Sequence, residues 1–388
     1  MRIGIDGACL ANRRGFGRFA RLLLEALARA ESPHEFLVFV DRPSIGLVSV
    51  PAPFVTVPVE VVHAPSRAAA ASGRRSLGDM LAFGRAFANA KLDLLYFPAS
   101  YSFVPVWGVK RVVVTMHDTL ALAHPELVFP NGRGRFAWLL KEFAATLKAD
   151  RIMTVSEASR RDLIEWFRLR PDRVRVVGEG PAPVFRPRRE PEGDGVLSKY
   201  GIDAGRPYWL YVGGLSPHKN LSRLIEAVAR LGETERLAIV GDFGDVFHTH
   251  VPELRAAVDR LGLRDRVHFT GFVPDDELAV IYSRAFALVQ PSLMEGFGLP
   301  PVEAMACGTP TVSSTAGSLP EVVGNAGLFF DPISVDSIVA SLRRMRDEPG
   351  LRARLASNAS ERAYVFSWDV AARTLLDEFA RLDDRRVR

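Results

Sequence analysis

Residues 285–312 read AFALVQPSLMEGFGLPPVEAMACGTPTV. Ala285 to Ser292 is an apolar run without helical period, closed by Pro291, and reads as a short buried strand. Pro300 and Pro301 suit a first helical turn, and Val302 to Cys307 propagate the helix until Gly308 closes it. Thr309 to Val312 then starts another strand. Strand, turn, helix, strand is the repeating unit of a parallel α/β sheet. The turn between them, Gly296-Phe297-Gly298-Leu299, lies at a helix N-terminus and is bracketed by Glu295 and Glu303. Free amides there receive polar ligands. Two carboxylates repel a bare phosphate but accept hydrogen bonds from hydroxyls, so a sugar and a ribose fit the pattern.

This segment resembles the Glu-x7-Glu signature of the retaining glycosyltransferases of family 4, which have the GT-B fold of two Rossmann-like domains facing across a cleft. The resemblance implies that Glu295, with Gly296, Phe297, Gly298 and Leu299 behind it, holds the donor sugar. It implies that Glu303 holds the nucleotide ribose.

A chain of 388 residues exceeds one comfortable core and predicts about two domains. Its 48% hydrophobic and 24% charged residues are ordinary globular composition. Cys9 and Cys307 lie far apart without metal-site spacing, which excludes a disulfide scaffold and indicates a reducing compartment. The first strand is flanked by Arg2 and Asp6 rather than by a leader's apolar core, and no apolar run reaches the length of a membrane span. The expectation is a cytoplasmic protein. The net charge of +5 comes with arginines scattered along helices, not interleaved with aromatics, so a nucleic-acid partner is not expected. The local concentrations are Arg13-Arg14 with Arg18 and Arg21, Arg74-Arg75, and Arg186 to Arg189. Residues 67–91 combine Arg74, Arg75 and Arg85 with Leu77, Met80, Leu81, Phe83 and Phe87, a basic amphipathic stretch suited to peripheral contact with an anionic membrane.

Strands alternate with helices from the start: Arg2–Asp6, a helix Gly17–Ala30, then strands at Glu35–Val40, Asp93–Phe97, Arg111–Met116, Arg151–Val155 and Val174–Val177. A Pro-, Gly- and charge-rich stretch at 186–193 reads as a linker, and a second alternating series opens at Tyr208. The expected division is 1–185 as an acceptor-side domain and 186–365 as the nucleotide-sugar domain. The resemblance sends a last helix, 366–388, back to the N-domain. Ligands of open α/β sheets bind beyond the carboxyl ends of strands, so the loops there carry the candidate residues.

After the strand Tyr208–Val212 comes Gly213-Gly214-Leu215-Ser216-Pro217-His218-Lys219-Asn220. Asn220 is placed to cap the following helix, with Lys219 beside free amides as a seat for a diphosphate. The family's Pro-x-Lys-Asn/Gly loop is similar and grips the donor diphosphate. Many members carry Arg where this chain has Gly214 and another basic residue at His218, so phosphate neutralisation falls more heavily on Lys219 and an N-domain arginine.

Gly15-Phe16-Gly17-Arg18-Phe19-Ala20 matches the dinucleotide fingerprint, with Asp41 ending the next strand, which raises an NAD-dependent oxidoreductase as a rival. The fingerprint needs its first glycine directly after the strand, whereas Gly15 stands nine positions past Asp6. Family-4 enzymes have a similar Gly-x-Gly-Arg loop under the diphosphate, which implies donor contacts from Gly15, Gly17 and Arg18. His117-Asp118 follows an apolar strand and resembles the family's His-Asp segment, whose histidine faces the reacting sugar. Val273 lies in a loop that in relatives cradles the base through main-chain groups.

His248 and His250 lack a third ligand and no Asp-x-Asp occurs, so no metal and no other cofactor is expected. The catalytic candidates are His117, Asp118, Lys219 and Glu295. The resemblance is nearest to bacterial mannosyltransferases: it implies transfer of mannose from GDP-mannose to a glycan or lipid-linked acceptor. A UDP-sugar transferase or epimerase of the same fold is the alternative.

Overall fold

The structure, a computed structural model, describes residues 1–12, 15–63, 76–129, 132–188, 193–243 and 250–384. Arg13, Arg14, Arg74, Arg75, Arg189, half of the expected linker and His248 lie outside the described residues. Contacts divide the chain into two compact units, Met1–Glu179 with Ser367–Arg388, and Gly180–Phe366.

The first unit is built on a parallel sheet of β1 (Arg2–Asp6), β2 (Glu35–Asp41), β3 (Val55–Val59), β4 (Leu94–Phe97), β5 (Arg111–Thr115), β6 (Arg151–Thr154) and β7 (Val174–Val176). Their order is β3-β2-β1-β4-β5-β6-β7. β1 and β4 to β6 are nearly continuous runs of buried residues, as a sheet covered on both faces requires. β3 does not appear in the sequence reading. It is an edge strand, mostly exposed and interrupted by Pro58, so it lacks the apolar run that reveals its neighbours.

The second unit repeats the plan with β8 (Trp209–Val212), β9 (Leu237–Val240), β10 (Val267–Gly271), β11 (Ala287–Gln290), β12 (Thr311–Ser314) and β13 (Gly327–Phe330), in the order β10-β9-β8-β11-β12-β13. In both units the strand order reverses direction beside the first strand, at β1/β4 and at β8/β11. A doubly wound sheet opens a crevice at such a point.

Within the first unit the helix Gly15–Arg29 buries Phe19, Leu23, Ala26 and Leu27. It packs against the C-terminal helix Trp368–Asp384, with the Phe19 and Trp368 rings 5.7 Å apart. The same C-terminal helix sets Phe379 against Tyr96 of β4. Beneath it lies a buried ion pair: Arg151 Nε is 2.8 Å from Glu378 Oε2, both side chains under 5% exposed. Arg175 and Arg381 also face Glu378. The amphipathic stretch 67–91 is described from Ser76 onward, where Ser76 caps the helix Leu77–Asn89. Phe83 and Phe87 of that helix belong to the core, which leaves Leu77 and Leu81 as its exposed apolar residues. Among the described residues no helix is long and apolar enough to cross a membrane.

Glu378→Ala leaves three arginines around an uncompensated buried site. It is expected to lower stability by about 3–5 kcal/mol, read as a shift of the urea unfolding curve. Replacing Glu378 and Arg151 together by Leu and Met should recover a large part of that loss.

Candidate functional site

In the second unit the loops after β8 and β11 flank the point of reversal, and a side-chain contact joins them. Lys219 Nζ donates to Glu295 Oε1 at 2.7 Å, the two side chains being 18% and 12% exposed. The same oxygen accepts from Ser292 Oγ at 2.6 Å and Gln290 Nε2 at 2.8 Å. Burial alone would push the Glu295 pKa up. The charge and hydrogen bond of Lys219, the Ser292 hydroxyl and the charge of His218 outweigh it and hold the carboxyl below its ordinary range. Sequence reasoning found Lys219 and Glu295 but missed Gln290 and Ser292. Their one signal was a glutamine and a serine at the end of an otherwise apolar strand.

The Glu295 turn is tied from the other side by Ser318, whose amide donates to the Glu295 carbonyl and whose hydroxyl donates to the Phe297 carbonyl. Phe297 is 7% exposed, with its ring 5.5 Å from that of Phe366, so the side chain packs and the backbone is what the turn presents. Gly298 precedes the helix Leu299–Ala306 at φ +106°, a left-handed conformation that favours glycine. Pro300 and Pro301 supply no N–H in the first turn. The anion-receiving end expected there is therefore narrower than a full helix N-terminus. The amides of Gly298 and Leu299 take no intramolecular hydrogen bond among the described residues.

Glu303, in the second turn, is 3% exposed and accepts from the Tyr282 hydroxyl at 3.0 Å. Gly214 has its carbonyl held by the Tyr211 hydroxyl. Val273 is buried just past β10.

Asn220 corrects an expectation: it occupies the N-cap position of the helix Leu221–Leu231 but makes no side-chain cap. At φ +60° its amide turns inward and donates to the carbonyls of Pro291, 2.9 Å, and Pro332, 2.7 Å. It thus ties the Lys219 loop to the segment leading to Glu295.

In the first unit His117 follows β5. Its Nε2 donates to the Pro98 carbonyl at 2.9 Å, and Nδ1 lies 3.7 Å from Glu179 Oε1. Phe16 and Phe19 meet the ring edge-on at 4.9 and 4.6 Å. Both nitrogens are thus directed at protein groups, with the side chain 9% exposed. Glu179, just beyond β7, was not singled out in the sequence. Asp118 accepts from the Leu120 amide at 2.9 Å, a turn at the start of the short helix Leu120–Ala123.

Gly15 begins the helix Gly15–Arg29 in open space, whereas a Cβ on Gly17 would lie 1.8 Å from the Asn12 carbonyl oxygen. Gly17 is therefore required by packing of the loop after β1, whether or not a ligand lies near. Arg21 secures that loop through the carbonyls of Leu10 and Asn12. Arg18 is half-buried on the same helix. The long loop before Gly15 is not the tight strand-to-helix turn of a dinucleotide site.

A carboxyl whose pKa is depressed on folding contributes stability that is complete above its unfolded pKa and lost as pH falls through the folded one. Lys219→Met removes the main opposing charge, and burial then raises the Glu295 pKa above the ordinary range. The variant's Glu295 is therefore strained when ionised, and acid relieves that strain. Carboxyl carbon NMR of Glu295 should show the wild-type group titrating below, and the variant's above, the ordinary glutamate range.

Residues 197–362 match the model of the glycosyl transferases group 1, and residues 13–180 match that of glycosyltransferase family 4. An O-antigen chain mannosyltransferase B of Escherichia coli is 34% identical over 67% of this chain and 68% of its own length. An MMP alpha-(1->4)-mannosyltransferase of Mycolicibacterium hassiacum is 37% identical over 58% of this chain and 52% of its own. The matched stretches thus span between about half and two thirds of these relatives. A sucrose-phosphate synthase structure from Thermosynechococcus elongatus superposes with a TM-score of 0.78 at 24% identity, over 99% of this chain and 100% of the other, a likeness of fold. With two doubly wound parallel sheets and matches along both units, the chain belongs to the family 4 glycosyltransferases, enzymes of the GT-B fold whose relatives here include mannosyltransferases.

Proposed function

We propose that this glycosyltransferase retains configuration, moving mannose from GDP-mannose to a hydroxyl of a glycan or lipid-linked acceptor, as a peripheral protein at the inner face of the membrane and without a metal. The observation that carries the reading is the Lys219–Glu295 contact beside the amides of Gly298 and Leu299. It sets a cation, a carboxylate and main-chain donors at the strand-order reversal of one sheet. A diphosphate takes the cation and the amides; the hexose hydroxyls donate to Glu295; the ribose hydroxyls donate to Glu303. The names of the two mannosyltransferase relatives support the choice of sugar.

In the proposed reaction the acceptor oxygen attacks the anomeric carbon from the face the diphosphate leaves. The bond to the acceptor forms as the carbon–phosphate oxygen bond breaks, and the acceptor's proton passes to the departing phosphate oxygen. Charge grows on the diphosphate, which Lys219 and the amides stabilise, while the positive anomeric centre is held by the field of Glu295. Within the second unit, Gly214 and Val273 are assigned to the donor's nucleotide.

Calorimetry with GDP, UDP and NAD tests the donor, and GDP is expected to bind tightest. Binding of UDP alone would move the donor to a UDP-sugar, and binding of NAD alone would overturn the reading. Lys219→Ala is expected to cost about 2–4 kcal/mol of transition-state stabilisation, measured as kcat/KM with the fold intact by circular dichroism.

The two glutamates separate in a paired experiment. Glu303→Ala should weaken nucleoside diphosphate about tenfold or more. Glu295→Gln should spare nucleoside diphosphate affinity and depress turnover of the sugar nucleotide. Equal loss of nucleotide affinity in both variants would contradict the assignment.

A further inference from the structure

The helix Gly132–Lys148 of the first unit holds four large apolar side chains in the open. Phe136, Leu140, Phe143 and Leu147 are 70%, 61%, 53% and 68% exposed. Their spacing of four, three and four residues aligns them in one stripe along the helix. Exposed hydrophobics on a monomer are usually single and scattered, so a continuous row marks a contact surface. The other side of the helix is already committed to the fold: Glu142, Ala145 and Thr146 are buried, and Arg173 donates to the Thr146 carbonyl at 2.7 Å.

The charges around the stripe choose the partner. Arg133 and Arg135 at one end and Lys148 at the other are exposed. Lys141 is turned inward, donating to the Tyr101 carbonyl. The helix's one acidic residue, Glu142, has a side chain only 2% exposed, beside Lys141. The open face is thus apolar along its length, cationic at its ends and free of carboxylates.

We propose that this face lies on an anionic lipid bilayer, its apolar stripe sunk to the level of the acyl boundary and its cations among the headgroups. The inference rests on the proposed lipid-linked acceptor, which such a surface would present to the enzyme. A second copy of the chain fits less well. Two such helices paired in either sense bring Arg133, Arg135 and Lys148 against like charges, whereas an anionic membrane attracts them all. The surface is also distinct from the helix Leu77–Asn89, whose phenylalanines are in the core.

The test is sedimentation of the full chain with phosphatidylcholine vesicles, with and without phosphatidylglycerol, at low and high salt. The wild type should bind the anionic vesicles and release them in high salt. Phe136→Ser with Leu140→Ser should weaken that binding about tenfold or more. Arg133→Glu with Arg135→Glu should weaken it on the order of a hundredfold. GDP affinity, which belongs to the second unit, should stay at the wild-type value in both, and an unchanged urea unfolding curve of the full chain shows that the first unit is folded. Failure of the wild type to bind, or undiminished binding by the variants, would overturn the proposal. So would variants that turn a dimer into a monomer while still binding vesicles. If no form binds GDP but vesicle binding follows the pattern above, the membrane face stands and the donor assignment fails.

Discussion

The second unit's candidate site depends on one ion pair in a mostly buried setting. A lysine at 18% exposure and a glutamate at 12% have lost much of their water, and each costs free energy there unless the other is present. Gln290 and Ser292 donate to the same glutamate oxygen as the lysine, and Asn220 fastens the lysine's loop to the same segment. The pair is therefore positioned before any ligand arrives. In the proposed reaction a donor diphosphate, carrying more negative charge than a carboxylate, would meet a cation already oriented at low entropic cost.

The rest of the second unit explains why the pair forms. Lys219 and Glu295 are 76 positions apart, yet β8 and β11 are neighbours in the sheet, and both loops leave from the same end of parallel strands. Reversal of strand order at that place keeps a crossover helix from covering the gap. The first unit repeats this layout at β1 and β4, and there the loop after β4 supplies the Pro98 carbonyl that orients His117.

The doubly wound sheets were legible because buried parallel strands are short, apolar and punctuated by glycine and proline, as in 285–312. Edge strand β3 was not, because exposure and Pro58 erase that signal. Lys219 and Glu295 stood out as charges in glycine-bearing loops after strands, and Glu303 as a charge in the helix that such a loop opens. The residues that hold them did not: Gln290 and Ser292 look like ordinary strand ends, and Ser318 acts from a turn 23 positions beyond Glu295. Asn220 misled because its residue type and position fit a helix cap, while its left-handed backbone aims the amide elsewhere. The row from Phe136 to Leu147 has helical spacing, which in sequence alone is indistinguishable from a core-facing stripe; only burial shows that it faces outward.

A crystal structure with a non-transferable GDP-mannose analogue tests the central claim most directly. The account predicts Lys219 Nζ within hydrogen-bond distance of a diphosphate oxygen, the Glu295 carboxylate on hexose hydroxyls and Glu303 on the ribose. Phosphates seated away from the loop after β8, with Lys219 still bound to Glu295 alone, would contradict it.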